Sequence, residues 1–215
     1  MSIPPASQSL LLVHSIPAAN IAAEDFNAWH ASRHAAHLAM AGITSGLRYK
    51  AIDGKQPTWM ALYETTSTDL PPVHVPFAIE QEVVSRLERN SYTLITSRTH
   101  PNTRPTAIPA DILYLFHLDF PPEREDEFNE WYDGEQTNLY MKVPGWLRLR
   151  RYRLHSYDDE QPQVPRRFFT LHEFNNPEFA DTPEYMDLVM GTERVREITK
   201  AVVGVEVRVF ELQRE

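Results

Sequence analysis

The sequence contains no cysteine among its 215 residues. Disulfide bonds and thiolate chemistry are therefore excluded, and a zinc site would have only histidine and carboxylate ligands. A chain without cysteine suits a reducing compartment. A basic N-terminal leader is also missing, and the apolar run from Leu10 to Val13 is too short for a signal peptide or a membrane span. We therefore expect a cytoplasmic protein that does not bind a membrane.

Several motifs that carry well-known chemistry are absent as well. The sequence has no G-x-G-x-x-G, no G-x-x-x-x-G-K-[ST], no G-x-S-x-G and no C-x-x-C, so nucleotide binding, α/β-hydrolase chemistry and thiol redox chemistry lack support. Acidic residues exceed basic ones and give a net charge of −9, which argues against nucleic acid as a partner. We interpret the basic run Arg148, Arg150, Arg151 and Arg153 as solvated charge at a strand edge.

What the sequence does contain is an internal repeat with a period of about half the chain. Residues 26–50 read FNAWHASRHAAHLAMAGITSGLRYK, and residues 128–153 read FNEWYDGEQTNLYMKVPGWLRLRRYR. With one extra residue in the later copy, the alignment pairs Phe26 with Phe128, Asn27 with Asn129, Trp29 with Trp131, Gly42 with Gly145, Arg48 with Arg151 and Tyr49 with Tyr152. A period this long indicates a duplicated domain. The predicted division is a first repeat over 1–98, a proline-rich linker over 99–110 and a second repeat over 111–215.

Each half is predicted to have the element order β-α-β-β-α-β, which is the ferredoxin-like order. In the first half we predict strands near 9–14, 47–52, 58–64 and 92–97, with helices near 22–40 and 77–90. In the second half we predict strands near 112–118, 147–154, 167–174 and 205–212, with helices near 123–142 and 182–200. An antiparallel sheet with helices on one face leaves its other face bare. We therefore predict an α+β fold of tandem ferredoxin-like repeats, packed sheet to sheet as a pseudo-dimeric α+β barrel. One chain can complete such a barrel, so a monomer or a homodimer is allowed.

Three histidines share one face of the first predicted helix, because His30, His34 and His37 stand at positions i, i+4 and i+7. Their spacing suits two ligands of a metal ion, but no glutamate follows the first histidine as it does in metalloproteases. They could instead form an acid-base cluster around His34, since adjacent imidazoles hold down one another's pKa. A third interpretation is a set of partly exposed histidines without a role.

Two motifs resemble a known family. The later motif, over 131–152, reads W-Y-D-x-E followed by K-V-P-G-W-L-R-x-R-R-Y. The earlier motif, over 29–54, reads W-H-x-x-R-H followed by G-L-R-Y-K-A-x-D-G. Both resemble the fungal branch of the EthD-like proteins in the dimeric α-β barrel superfamily. The resemblance covers residues 9–213. It implies a ligand cleft between a sheet and its helices, with a histidine and a tyrosine as acid and base. The family's helix histidine, five residues after the tryptophan, is His34 in the first half. Gln136 stands there in the second half and cannot transfer a proton near neutral pH.

The resulting hypothesis is a cofactor-independent lyase or cyclase that acts on a hydrophobic aromatic or polyketide-type intermediate of secondary metabolism. The reaction would be cyclisation, decarboxylation or dehydration, with no cofactor and no metal. One alternative is a haem-using or cofactor-free monooxygenase, and another is a non-catalytic small-molecule carrier or stress-response protein. The candidate catalytic residues are His34, His30, His14, Tyr49 and Tyr63. The candidate substrate-binding residues are Trp29, His37, His117, Trp131, Tyr132, Gln136 and His172.

Two aligned pairs among these candidates carry specific expectations. His14 and His117 share strand parity with leucines, which is more typical of hydrogen-bonded core histidines than of catalysts. Tyr63 and His172 align with each other but differ in chemistry, which suggests that one of the two positions is adapted to a ligand.

Overall fold

The computed structural model describes residues 8–68, 82–158 and 165–214. Eight strands are hydrogen-bonded in the order β1-β3-β2-β8-β5-β7-β6-β4, and β4 pairs in turn with β1. The strands are β1 (Ser9–Pro17), β2 (Ile43–Ala51), β3 (Trp59–Thr65), β4 (Val84–Thr99), β5 (Ile112–Asp119), β6 (Trp146–Tyr157), β7 (Phe168–Phe174) and β8 (Gly204–Gln213). The α-helices are α1 (Ala23–Leu38), α2 (Glu125–Trp131), α3 (Thr137–Tyr140) and α4 (Glu193–Ala201). The predicted α+β barrel class is confirmed.

The chain is divided into two compact units. The second unit comprises Ile95–Arg153 and Arg166–Val209, and the first unit holds the remaining described residues. In the first unit β3 pairs antiparallel with β1 and β2, and Gly46 lies opposite Tyr63. In the second unit β7 pairs antiparallel with β5 and β6, and Leu149 lies opposite His172. This shared register makes Gly46 equivalent to Leu149, and Tyr63 equivalent to His172.

The aligned asparagines and arginines of the repeat make the same contact in both units. Arg48 donates a hydrogen bond of 2.6 Å to Asn27 Oδ1, and Arg151 donates one of 2.6 Å to Asn129 Oδ1. Each guanidinium also covers an aromatic ring, at 4.0 Å for Arg48 over Trp59 and 4.6 Å for Arg151 over Tyr132. The charge-assisted bond ties a helix to the neighbouring strand, and the contact of the guanidinium with the ring adds to it. We call this contact the Arg-Asn clamp.

The interpretation of the basic run as solvated edge charge is wrong for three of its four members. Arg148, Arg150 and Arg151 are buried, and only Arg153 is exposed. Both faces of β6 are covered, so the arginines need partners inside the protein. Glu173 on β7 supplies one, since its carboxylate lies 2.7 Å from Arg148 Nε and 3.1 Å from a terminal nitrogen of Arg150. Burial raises the pKa of Glu173, but the charges of Arg150 and Arg148 outweigh it, together with hydrogen bonds from Arg148 and from the Ala110 backbone N–H. The pKa is held below its ordinary value.

The predicted helix over 77–90 is wrong for residues 84–90, while residues 77–81 lie outside the described residues. Val84 begins β4, a strand of 16 residues that pairs with β1 from Thr93 opposite Ser9 to Val84 opposite Pro17. The apolar residues Val84 and Leu87 stand three residues apart, a spacing that also fits a helix face. Pairing along the whole of β1 outweighs local propensity here.

The predicted helices over 123–142 and 182–200 are both interrupted by π-helical segments. Residues Tyr132–Gln136 form the first segment, between α2 and α3. Its wider turn takes up the one extra residue of the later copy. Thr137 stabilises the turn, because its backbone N–H and its hydroxyl both donate to the carbonyl of Tyr132. Glu184–Val189 form the second segment, before α4. No helix within the described ranges is long and apolar enough to cross a membrane.

We predict that Glu173→Gln lowers the free energy of unfolding by about 3–5 kcal/mol, because it leaves two buried guanidinium groups without their carboxylate. Urea unfolding followed by circular dichroism measures the loss. Glu127→Gln is a matched control, since Glu127 also contacts two arginines, Arg124 and Arg194, but at the surface. The control should change stability little. Equal losses in the two variants would contradict the prediction.

Candidate active site between helix and sheet

A histidine and a tyrosine meet between α1 and β3 in the first unit. The His34 Nδ1 atom lies 3.1 Å from the Tyr63 hydroxyl, within hydrogen-bonding distance. The His37 ring stacks on Tyr63 with centroids 4.5 Å apart, and the His30 ring stacks on His34 at 6.3 Å. The helical spacing of the three histidines and the strand position of Tyr63 therefore converge on one place. Four of the candidate residues are brought together.

A cleft adjoins this cluster in the first unit. Its empty volume is about 310 Å³, including the part that is open to solvent. The lining residues are Val13, Ser15, Trp29, His30, Arg33, His37, Ala61, Tyr63, Leu87 and Arg89. His34 is not one of them, but it contacts two residues that are, Tyr63 and His30. The cleft combines an apolar and aromatic wall with a few polar groups, which is the usual character of a small-molecule site.

The charges in the cleft lining are of one sign. Arg33 and Arg89 are cationic, and the described lining residues include no carboxylate. Burial, followed by the charges of Arg48, His34 and His37, lowers the pKa of His30 to about 3. Burial also lowers the pKa of His37, although the hydrogen bond to the Arg33 carbonyl opposes it. Both imidazoles are therefore neutral at pH 7 and can act as hydrogen-bond acceptors.

Among the cleft residues on α1, several buried polar atoms have no hydrogen-bond partner in the described part of the chain. They are Trp29 Nε1, His30 Nδ1 and His37 Nε2. Buried polar atoms are nearly always paired in proteins, by protein groups, water or ligands. All three residues belong to α1, so the helix brings to the cleft polar atoms that no described protein group pairs. In the described ranges, no group of three or more His, Asp or Glu side chains is arranged to hold a metal ion.

The second unit has a histidine-tyrosine pair with the two residue types exchanged. Tyr132 follows α2, and its hydroxyl lies 2.8 Å from His172 Nε2 on β7. The Trp146 indole donates a hydrogen bond of 3.0 Å to His172 Nδ1. Burial, and then the charge of Arg151, lowers the pKa of His172 well below its ordinary value. The imidazole is therefore neutral, and its only proton must be on Nε2, because an indole N–H can only donate. His172 donates to Tyr132 and cannot take its proton.

Tyrosines fill the space around His172. The Tyr140 ring lies 3.8 Å from the His172 ring, and the Tyr114 and Tyr185 hydroxyls are 2.6 Å apart. Tyr140 is hydrogen-bonded to both Tyr132 and Tyr185. Burial raises the pKa of each of these four tyrosines above its ordinary value, so all remain protonated. This network is a packed polar core, and sequence reasoning missed Tyr114, Tyr140 and Tyr185. One available signal was Trp146, which stands where the first repeat has Ile43.

Two candidates of the first unit lie on the opposite face of the sheet from the cleft. Val13 and Ser15 line the cleft, so His14 between them points away. His14 is buried, with its Nδ1 3.9 Å from the Glu88 carboxylate. Tyr49 is also fully buried, and Gly46 on the same strand has the parity that faces His34. The structure does not bring His14 and Tyr49 together with His34.

The remaining candidates belong to the second unit and do not form one cluster. His117 is buried against Phe169, with ring centroids 4.9 Å apart. Trp131 packs on Phe128, with ring centroids 5.7 Å apart. Gln136 is buried and donates a hydrogen bond of 3.2 Å to the Val189 carbonyl.

Known structures share this fold across nearly the whole chain. An anthrone oxidase-like protein matches with a TM-score of 0.68 and 10% identity, over 96% of this chain and 91% of that chain. A monooxygenase-like protein from Listeria innocua matches with a TM-score of 0.52 and 10% identity, over 97% and 96%. A haem-degrading enzyme from Listeria monocytogenes matches with a TM-score of 0.53 and 8% identity, over 95% and 99%. At such low sequence identity, these structural matches establish the ferredoxin-like, dimeric α-β barrel fold and nothing more. No family model and no curated protein matches the chain.

We predict that Gly46→Ala disrupts the His34-Tyr63 contact. A Cβ atom at Gly46 would lie 2.7 Å from His34 and 2.8 Å from Tyr63, so both rings would have to move. The expected cost is about 1–3 kcal/mol of unfolding free energy. Gly134→Ala is the control, because a Cβ atom there has no neighbour within 4 Å. Thermal unfolding compares the two variants, and an unchanged midpoint for Gly46→Ala would refute the close packing.

We predict that the protein loses stability as the pH falls from 7.5 to 5. Burial lowers the pKa of His30 and of His117 to about 3, whereas an unfolded histidine titrates near 6.5. Between these two pKa values the unfolded chain binds more protons than the folded chain does. Each group therefore lowers the unfolding free energy by up to about 1.4 kcal/mol for each pH unit by which the pH falls. Urea unfolding at several pH values measures the slope. His117→Asn should show a shallower slope, and a flat wild-type profile would rule the prediction out.

Proposed function

We propose that this chain is an enzyme that moves a proton on a hydrophobic aromatic or polyketide-type small molecule. The observation that carries the proposal is the Tyr63 side chain, which lines the cleft and contacts His34 Nδ1 at 3.1 Å. A hydroxyl held against an imidazole is the arrangement expected for general acid-base catalysis. The resemblance of the two tryptophan motifs to fungal EthD-like proteins also supports this proposal.

Tyr63 and His34 take different roles in the proposal from those expected from the sequence. Tyr63 lines the cleft, so its hydroxyl is the group that touches the substrate. His34 acts through it by accepting the phenolic proton, so that the phenolate oxygen can take a proton from the substrate. Histidine suits this role because it titrates near neutral pH. The proton returns along the same path to the product.

The cleft also suits the charge that such a step creates. Removing a proton from a carbon next to a carbonyl, or from a phenol, leaves an enolate or a phenolate. Arg33 and Arg89 in the lining offer positive charge to this anion, although the Asp158 carboxylate, 3.7 Å from Arg89, offsets part of it. Fixed charges near a developing anion lower the barrier. Trp29, Leu87 and Tyr63 supply apolar wall for a flat ring system. Cyclisation, decarboxylation and dehydration of polyketide-type substrates can all proceed through such an anion.

A cofactor-free monooxygenase is the second candidate. The observation in its favour is the whole-chain structural likeness to an anthrone oxidase-like protein and a monooxygenase-like protein. In this version the same proton abstraction comes first, and the resulting carbanion reacts with molecular oxygen. The two candidates therefore share their first step and differ only in the fate of the carbanion.

Haem does not fit the arrangement around these histidines. A macrocycle bound to one of their ring nitrogens would need an open layer between α1 and the sheet. That layer is closed by the contact of His34 with Tyr63 and by the stacking of His37 on Tyr63 at 4.5 Å.

The shared first step can be tested with 1,8-dihydroxyanthrone in D₂O under nitrogen. We predict that the protein accelerates exchange of the anthrone methylene protons, measured by ¹H NMR. His34→Gln and Tyr63→Phe should each lower the rate enhancement at least 100-fold, because general acid-base groups contribute about 10²–10⁴-fold. Tyr132→Phe is the matched control in the second unit, and it should leave the exchange rate unchanged.

Several outcomes separate the alternatives. Exchange at the wild-type rate in Tyr63→Phe would contradict proton transfer through Tyr63 and His34. Binding of the anthrone without any accelerated exchange would favour a non-catalytic carrier. Once air is admitted, accelerated formation of the anthraquinone would favour the monooxygenase. Failure to accelerate that oxidation, together with release of carbon dioxide or water from polyketide acids, would favour the lyase or cyclase.

A further inference from the structure

His37 lines the cleft, and its tautomer is fixed by the helix. The Nδ1 atom lies 2.8 Å from the backbone carbonyl of Arg33, one turn earlier in α1. A carbonyl oxygen can only accept, so Nδ1 must carry a proton. Burial lowers the pKa of His37, which keeps the ring neutral, and the second ring nitrogen then has no proton. The Nε2 atom is a hydrogen-bond acceptor with a fixed lone pair.

The Nε2 atom has no hydrogen-bond partner in the parts of the chain that the structure describes. The side chain is 3% exposed, so bulk water does not solvate it freely. Stacking on the Tyr63 ring prevents the imidazole from turning elsewhere, and the bond to Arg33 prevents a ring flip. A buried acceptor left unpaired is costly, and pairing it with a donor recovers that cost. The structure therefore holds an unpaired acceptor in a ring that is stacked on Tyr63.

We infer that His37 Nε2 accepts a hydrogen bond from a hydroxyl group of the bound molecule, and so selects hydroxylated aromatic compounds over those without a donor. The inference rests on the proposed function of the same cleft, because it names the polar group that the aromatic substrate must carry. His37 is a positioning residue in this scheme. It fixes the orientation of the ring system relative to Tyr63 and takes no part in proton transfer.

The test uses two aromatic probes of similar size, 2-naphthol and 2-methoxynaphthalene, which differ in having an O–H donor. Their dissociation constants are measured with the full chain by titration calorimetry or by ligand-observed NMR. The wild type should bind 2-naphthol about five- to tenfold more tightly, the ratio that one neutral hydrogen bond provides. The ¹⁵N resonance of His37 Nε2 should also shift on addition of 2-naphthol and stay in place with the methyl ether.

Two variants divide the functions of the ring. His37→Asn keeps an amide N–H for the Arg33 carbonyl but has no acceptor where Nε2 was, so the preference for 2-naphthol should disappear. His37→Gln reaches far enough to place its amide oxygen near the Nε2 position, so it should restore the preference at least in part. If the role of His37 were purely structural, both variants would bind the two probes more weakly than the wild type and to the same extent.

The outcomes distinguish this inference from the proposed function. Equal wild-type affinity for the two probes, or an unchanged preference in His37→Asn, would overturn the role of His37 and leave the proton-transfer proposal standing. Failure of the wild type to bind either probe would overturn both. A Soret band on addition of haemin that is lost in His37→Asn would show that Nε2 is a metal ligand, and would also overturn the inference.

Discussion

The Arg-Asn clamp is the interaction on which each repeat depends, because it ties the first helix of the unit to the neighbouring strand. Arg48 and Arg151 come from the same position of β2 and β6, and each meets the asparagine that follows the phenylalanine of the repeat. Each arginine also lies over an aromatic ring, so its charge is held without full hydration. In each unit, the clamp and the histidine-tyrosine contact join the same helical segment to the same sheet.

The two units share the Arg-Asn clamp but differ in their histidine-tyrosine contacts. In the first unit Tyr63 stands on the strand and His34 on the helix, beside a cleft. In the second unit the histidine is on the strand, and an indole N–H determines where its proton resides. The first pair can exchange a proton in either direction, whereas the second pair is a fixed hydrogen bond inside a tyrosine core. Under the proposed function, only the first unit supplies the acid-base pair.

Sequence patterns predicted the fold well because duplication provides two versions of every element. The alignment of Gly42 with Gly145 was informative, since both have a positive φ, +93° and +85°, of the kind that ends a helix. Burial of the arginines could not be predicted, because their carboxylate partner Glu173 is distant along the chain and meets them only when β6 and β7 pair. Val84 and Leu87 have a spacing that fits a helix, but they lie in β4, because β4 pairs along the whole length of the strand β1.

The candidate site was predictable only in part, for a similar reason. Helical spacing brings His30, His34 and His37 together, and the alignment singled out Tyr63, but neither shows which of them faces a cleft. That depends on strand parity and on the missing side chain of Gly46, which lets two rings approach the backbone of β2. The donor that fixes the tautomer of His172 lies at a position where the two copies differ, so the repeat gives no indication of it.

The π-helical turn at Tyr132–Gln136 has a consequence for how duplicated enzymes diverge. An insertion of one residue in a regular helix turns every later side chain by about 100°, which would ordinarily ruin the packing of the remaining turns. Here the wide turn confines that rotation to its own five residues, and the clamp before it and the glycine after it keep their places. The wide turn therefore lets the two copies of the helix differ in length while the elements on both sides keep the same fold.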